Sequence, residues 1–238
     1  MNKGVYMALD FPTWDEAKSF IDGHELNGVP VKLGMELFYR EGPRVIEQLK
    51  QDNHEIFLDL KLHDIPTTVM KTMKNLAQLE VDMVNVHALG GSEMIKQAKE
   101  GLQAGSSANH ETALIAVTIL TSMDQAVLNH ELHMPGNVQE NAVHFAEFAY
   151  QNGADGVVCS VHEARQVKDA CGPSFVTVTP GIRLQESNVN DQKRVASPAF
   201  AKENGADILV VGRTVSQAEN PKAAYRKVLE EFGYGTNE

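Results

Sequence analysis

The stretch Asp59-Leu-Lys-Leu-His-Asp-Ile-Pro66 holds the charges of this 238-residue chain that are hardest to dismiss as solvated surface. It begins inside an apolar run, Glu55-Ile-Phe-Leu-Asp-Leu-Lys61, whose alternation predicts a β-strand. Successive strand side chains point to opposite faces, so residues two apart share a face at a spacing of about 6.6 Å. Asp59 and Lys61 therefore project side by side into one space while the aliphatics pack away from it. A charge on an otherwise apolar strand costs free energy unless it is paired or used. Asp64 follows three residues after Lys61, where Pro66 signals a turn into a new helix. A lysine flanked by carboxylates has its ammonium form favoured. It is fitted to donate a proton and poorly fitted to form a Schiff base, which needs a neutral amine.

The elements that must position these residues follow from the hydrophobic pattern. Short apolar runs predict strands over Val5–Asp10, Val31–Gly34, Glu55–Lys61, Met83–Ala88, Ala113–Leu120, Gly156–Ser160, Phe175–Pro180 and Ile208–Gly212. Helical patterns lie between and after them, over Trp14–Ile21, Pro43–Gln51, Thr67–Leu79, Glu93–Ala104, Val138–Gln151, Val161–Cys171, Ala199–Glu203 and Pro221–Phe232. Gly153-Ala-Asp and Gly205-Ala-Asp each precede a strand, as a helix-ending glycine followed by re-entry into a sheet should. Eight β-then-α units with no linker predict a single-domain α/β protein, a (β/α)8 (TIM) barrel over residues 1–238. An open, doubly wound sheet is the alternative, since periodicity does not show closure.

In a barrel one strand parity meets the helices and the other fills the interior. The first strand sets Val5, Met7 and Leu9 against Tyr6, Ala8 and Asp10; the second sets Val31 and Leu33 against Lys32; the fourth sets Val84 and Val86 against Asn85 and His87. The fifth opposes Ile115, Val117 and Ile119 to Ala116, Thr118 and Leu120, and the seventh opposes Val176 and Val178 to Thr177 and Thr179, so the interior parity is expected to collect the polar residues. Asp10, Lys32, Asp59 and Lys61 are expected to converge on the carboxyl-end mouth, where barrel enzymes place their active sites. The seventh and eighth strands run into Thr179-Pro-Gly-Ile-Arg183 and Val211-Gly-Arg213. Loops after these strands are the recurrent phosphate site of the fold, and arginine offers forked donors to phosphate oxygens. The polar segment after Arg183 is longer than a barrel connection needs and reads as a lid in which Gln192 could reach a ligand. Thr121-Ser122 offers hydroxyl and backbone donors to a polar ring, although helix capping explains either residue as well. His87 reads as a satisfied core histidine, and His63 has no evident partner. His130 and His133 lack accompanying ligands, so no metal site is expected.

Composition narrows the partners. A net charge of −11 argues against a protein that coats nucleic acid or acidic membranes, while leaving an anionic small molecule open. No window approaches 18 consecutive apolar residues, and the first ten residues enter a strand without signal-peptide features, so a cytoplasmic protein is expected. Cys159 and Cys171 form neither a disulfide framework nor a metal spacing.

These residues, in this order, resemble orotidine 5′-monophosphate decarboxylases of the bacterial type. The resemblance runs through Leu9-Asp10-Phe11, Val31-Lys32-Leu33-Gly34, Asp59 to Thr68, Val86-His87-Ala88, Thr118 to Ser122, Thr179 to Arg183 and Val211-Gly-Arg213. It implies a cofactor-free, metal-free decarboxylase of orotidine 5′-monophosphate, with Lys32, Asp59, Lys61 and Asp64 as the catalytic array. It also implies substrate contacts from Asp10, Lys32, Thr68, Thr121, Pro180, Arg183, Gln192, Gly212 and Arg213. In the family Asp64 and Thr68 reach the neighbouring subunit's site, which implies a homodimer with shared sites. Relatives with the same Asp-x-Lys-x-x-Asp motif, 3-keto-gulonate-6-phosphate decarboxylases and hexulose-phosphate synthases, use a magnesium ion held partly by an acidic residue on the second strand. This chain has Lys32 there. A phosphate-binding scaffold without turnover is the reading from a different class, and it leaves the Asp59–Lys61 pair without a purpose.

Overall fold

The computed structural model describes residues 4–184 and 194–233. Its centre is a closed barrel of eight parallel strands in sequence order. The first half runs β1 (Gly4–Ala8), α1 (Trp14–Gly23), β2 (Val31–Gly34), α2 (Met35–Glu41), α3 (Arg44–Gln51), β3 (Ile56–Leu62), α4 (Pro66–Ala77), β4 (Met83–His87) and α5 (Ser92–Gly105). The second half runs β5 (Ala113–Val117), α6 (Val138–Gln151), β6 (Gly156–Val158), α7 (Val161–Cys171), β7 (Val176–Thr179), α8 (Pro198–Glu203), β8 (Ile208–Val211), α9 (Arg213–Ser216) and α10 (Pro221–Phe232). Pairing of Gly4 to Met7 on β1 with Ile208 to Val211 on β8 closes the ring and removes the open-sheet alternative.

On β1 to β4 the strand parity sorts as the alternation requires. On β5 and β7 the expectation is reversed, because apolar Ile115 and Val178 take the interior while Ala116 packs outward and the Thr177 and Thr179 hydroxyls are satisfied by Gly205 O and Ile208 O. Val5, Met7, Leu9, Val31, Leu33 and Val84 pack outward into the helix layer, whereas Tyr6, Ala8, Phe57, Met83, Ile115, Val178, Ile208 and Val210 form a separate cluster that fills the barrel. Helix starts are fixed locally. Asn137 and Ser160 make reciprocal capping boxes with Glu140 and Glu163, and Thr13, Ser197 and Asn220 accept from backbone N–H groups of the following turn. Cys159 and Cys171 are both buried and unpaired.

The amino-terminal mouth is tied by carboxylates. Asp82, before β4, accepts from Ile56 N at 2.7 Å; Asp155, before β6, accepts from Leu114 N at 2.7 Å; Asp207, before β8, accepts from Thr177 N at 3.0 Å. Each aspartate thus secures the first N–H groups of the preceding strand, donors that would otherwise face the mouth unpaired. Gly153 and Gly205 turn the chain toward two of these aspartates with φ of +92° and +76°. Lys99 and Lys168 add ion pairs to Asp155 and Asp207. A hollow of about 780 Å³ at this end is lined by Tyr6, Glu55, Asp82 and Asp155. Asp82 and Asp155 are the ties just described, and Glu55 accepts from the Tyr6 hydroxyl at 3.2 Å, so these carboxylates hold the fold.

Candidate active site

A cavity of about 300 Å³ opens at the carboxyl-end mouth, at the small end of the range for ligand pockets. Asp10 lies just beyond β1, Lys32 within β2, Asp59 and Lys61 in β3, and all four line it. Their contacts form a chain of alternating sign. Lys32 Nζ lies 3.3 Å from Asp10 Oδ1 and 3.2 Å from Asp59 Oδ2, and Lys61 Nζ lies 2.7 Å from Asp59 Oδ1. Glycine at 34 keeps the row open, because a Cβ there would come within 3.2 Å of Lys32 Nζ.

Asp59 is 7% exposed. Burial pushes its carboxyl up, but the Lys32 and Lys61 ammoniums, with the donors aimed at it, prevail and hold it below the usual carboxylate range. Burial likewise works against the Lys32 ammonium, and the Asp59 and Asp10 carboxylates outweigh it and raise its pKa. The pair therefore stays ionised near neutral pH. A carboxylate so held cannot leave its neighbours without exposing a buried charge, which makes the array rigid as well as charged.

The pleat alone does not bring Lys61 to this position. Leu58 pairs with Val84 and Leu62 with Val86, so β3 carries two more residues than β4 between those pairs. Lys61 takes up the distortion with φ of +52°, in the left-handed region, at a cost of about 1–2 kcal/mol for a non-glycine residue. Asn85, fully buried on β4, supports the kink: its Oδ1 accepts from Lys61 N at 2.7 Å and its Nδ2 donates to Asp59 Oδ1 at 2.7 Å. The alternation of β4 places Asn85 on the interior face, but only the register shift shows what it touches.

Across the cavity Pro180, Gly181 and Arg183 follow β7, and Gly212 and Arg213 follow β8. Arg183 is 9% exposed; its Nη1 donates to Ile182 O at 2.9 Å and to Thr214 Oγ1 at 3.4 Å, while the Thr214 hydroxyl donates to Ile182 O at 2.7 Å. Thr214 is thus a second support that sequence reading passes over, a threonine beside a more conspicuous arginine. Gly212 allows close approach, since a Cβ there would lie 3.4 Å from Asp10 Oδ2. Thr121 and Ser122 both line the cavity.

Not every expected residue is gathered. Asp64 is exposed on the loop after β3, where its Oδ1 accepts from Ile65 N at 2.6 Å, and Thr68 is exposed in the first turn of α4. Neither lines this barrel's own cavity. Gln192 lies outside the described residues. His87 departs from the satisfied core histidine expected: its Nδ1 is buried without a hydrogen-bond partner among the described residues. Its ring lies 5.7 Å from that of His63, the neighbour the sequence did not supply. Burial, with His63 and Lys61 nearby, lowers the His87 pKa and keeps the ring neutral. Among the described residues no group of three or more His, Cys, Asp or Glu is arranged to hold a metal ion.

Comparison with known proteins places this constellation. Residues 3–228 match the model of the family described as Orotidine 5′-phosphate decarboxylase / HUMPS family. A Bacillus pumilus protein named orotidine 5′-phosphate decarboxylase is 50% identical over 227 residues, covering 95% of this chain and 97% of that one. The crystal structure of orotidine 5′-phosphate decarboxylase from Lactobacillus acidophilus superposes with a TM-score of 0.85 at 41% identity, over 98% of this chain and all of that one. A Methanocaldococcus jannaschii orotidine 5′-monophosphate decarboxylase, 22% identical with a TM-score of 0.74 over 98% of this chain and 99% of that one, shares the fold. The eight-stranded barrel, its row of alternating charges and the similarity along nearly its whole length make this chain a member of the orotidine 5′-phosphate decarboxylase / HUMPS family.

Proposed function

We propose that this protein is a carboxy-lyase that converts orotidine 5′-monophosphate to uridine 5′-monophosphate and CO2 in pyrimidine biosynthesis, as a single catalytic domain over residues 1–238 and without a cofactor. The observation that carries this reading is the position of Lys61 Nζ, 2.7 Å from an ionised, buried Asp59 and facing a cavity whose far rim bears Arg213. Phosphate lies against Arg213, the backbone at Gly212 and Gln192, with Arg183 and Pro180 shaping that end. Asp10 and Lys32 hold ribose hydroxyls, and Thr121 addresses the pyrimidine edge. The substrate carboxylate then meets Asp59, and the ring carbon that bears it meets Lys61. As the carbon–carboxylate bond breaks, its electron pair stays on the ring carbon, where the Lys61 ammonium stabilises it. That ammonium gives its proton to the same carbon, and the neutral amine recovers a proton from solvent. Binding energy from the remote phosphate holds the reacting centre against Asp59.

Lys32 separates this reading from that of the magnesium-using relatives, since an ammonium 3.2 Å from Asp59 repels a divalent ion beside it. Loss of orotidylate absorbance should persist in the presence of EDTA. Turnover abolished by EDTA and restored by magnesium would point to those relatives, and tight nucleotide binding with no turnover would leave a scaffold.

The reading includes a cytoplasmic homodimer whose sites are completed by Asp64 and Thr68 across the interface. The segments that follow β2, β3 and β4 present exposed apolar side chains at this end of the barrel, Met35 at the start of α2, Ile65 just before α4 and Leu89 just after β4, and Ile65 is 68% exposed. Such an apolar patch next to a site suits a subunit contact. None of the described helices is long and apolar enough to cross a membrane. Asp64→Ala and Lys61→Ala proteins, each nearly inactive, should regain activity on mixing, to about one quarter of the wild-type rate, because random exchange makes half the dimers hybrid with one intact site each. No recovery under proven subunit exchange would rule out the shared site.

A further inference from the structure

We infer that Asn85 is a positioning residue for the decarboxylation, a single carboxamide that fixes both the Asp59 carboxylate and the backbone of Lys61. This rests on the reading that Asp59 and Lys61 carry the reaction. The orientation of the amide follows from its partners. The Lys61 N–H can only donate, so the oxygen of Asn85 must face it, which turns the NH2 group to Asp59. Asn85 is fully buried, and both of its contacts are 2.7 Å long.

Two consequences follow. The Asp59 carboxylate is surrounded by donors alone: Lys61 Nζ and Asn85 Nδ2 on Oδ1, and Lys32 Nζ on Oδ2. Its rotation is blocked and its ionised form is favoured. The Lys61 N–H, turned out of the strand ladder by the register shift, has its hydrogen bond supplied by β4, and the left-handed backbone that aims Nζ into the cavity depends on it. Asp59 and Lys61 share one carboxamide, so a change there displaces both reacting groups together. A misplacement of about 1 Å in such a pair costs about 10²-fold in rate. Substrate affinity, set largely at the phosphate end, should change little.

The charged and titratable groups that face this carboxamide are Asp59 and Lys61 from β3, Lys32 from β2 and His87 from β4; on β5 the register partner is apolar Ile115. Asn85→Asp has nearly the same shape and keeps an acceptor for the Lys61 N–H, but sets a second carboxylate against Asp59. The pKa of the introduced carboxyl is raised by that neighbour and by burial. Below it, the protonated group donates to Asp59 as the amide did; above it, two carboxylates repel.

The test measures kcat and KM for orotidylate in wild type, Asn85→Ala and Asn85→Asp from pH 5.5 to 9, with thermal melts of each. The expected result is a fall of about 10²-fold in kcat for Asn85→Ala with KM within a few-fold, and an Asn85→Asp enzyme that is slow at pH 9 and recovers as the pH falls. Wild-type kcat in both folded variants at every pH would overturn the inference. So would a loss in Asn85→Asp that does not vary with pH, which is what a merely structural role predicts. If Asn85→Ala does not fold, the pH rescue of Asn85→Asp decides alone. A wild-type protein that does not turn over orotidylate overturns the functional reading itself, an outcome distinct from wild-type turnover with unaffected variants.

Discussion

Lys61→Ala should lower kcat for orotidylate by at least about 10⁴-fold, since one side chain supplies both the charge that stabilises the carbanion and the proton that quenches it. The size of the loss follows from geometry, because among the described residues Lys32 is the other lysine lining the cavity and it cannot take over. Lys32 is committed to Asp10 and Asp59 on the far side of the row, 3.3 and 3.2 Å away. Binding of the product nucleotide, which has no carboxylate, should stay within several-fold of wild type, whereas the substrate should bind more weakly because Asp59 loses a counter-charge. Lys61→Arg should not rescue, since a guanidinium does not release its proton in the working pH range and its planar fork does not fit an ammonium's place. Calorimetric titration with uridine 5′-monophosphate beside single-turnover rates would separate these effects. A Lys61→Ala protein within tenfold of wild-type kcat would remove Lys61 from the mechanism.

Arg213→Ala should reduce kcat/KM by about 10²–10³-fold, the scale set by truncating a partner in a desolvated, charge-assisted contact. The informative comparison is with orotidine, the substrate lacking its phosphate. If Arg213 acts through the phosphate, wild type and Arg213→Ala should handle orotidine equally poorly, and the double-mutant cycle between side chain and phosphate should account for nearly the whole effect. Equal penalties on both substrates would show that Arg213 holds the protein rather than the ligand. Part of the loss should fall on kcat, because remote binding energy also holds the reacting centre against Asp59.

The parts of this site legible in the sequence are those governed by local rules. Asp10, Lys32 and Asp59 lie on interior parity at strand ends, and alternation alone sends them to one mouth. Barrel closure was legible only as the natural solution for eight units, and the β1–β8 ladder establishes it. Helix α2 escapes sequence reading because it follows Gly34 directly, has no side-chain cap and buries only Leu37. Lys61 was placed correctly for an incomplete reason. The pleat predicts the right face, but the register shift against β4 and the left-handed backbone are tertiary features that no spacing encodes. Asn85 stayed inconspicuous for the same cause, as an asparagine on an interior face has many uses until its neighbours are known. Asp64 and Thr68 are exposed and do not line their own barrel's cavity, so the role proposed for them would need a second chain that no single sequence displays.

The aspartates before β4, β6 and β8 have a consequence for how such a barrel changes over evolutionary time. Asp82, Asp155 and Asp207 fasten the strands at the mouth opposite the charged row. The residues that keep the ring shut and those that face the ligand are therefore separate sets. Replacements among the latter can re-specify what is bound or broken while the hoop stays fastened. A barrel divided in this way is one on which different sites can be grafted without rebuilding the frame.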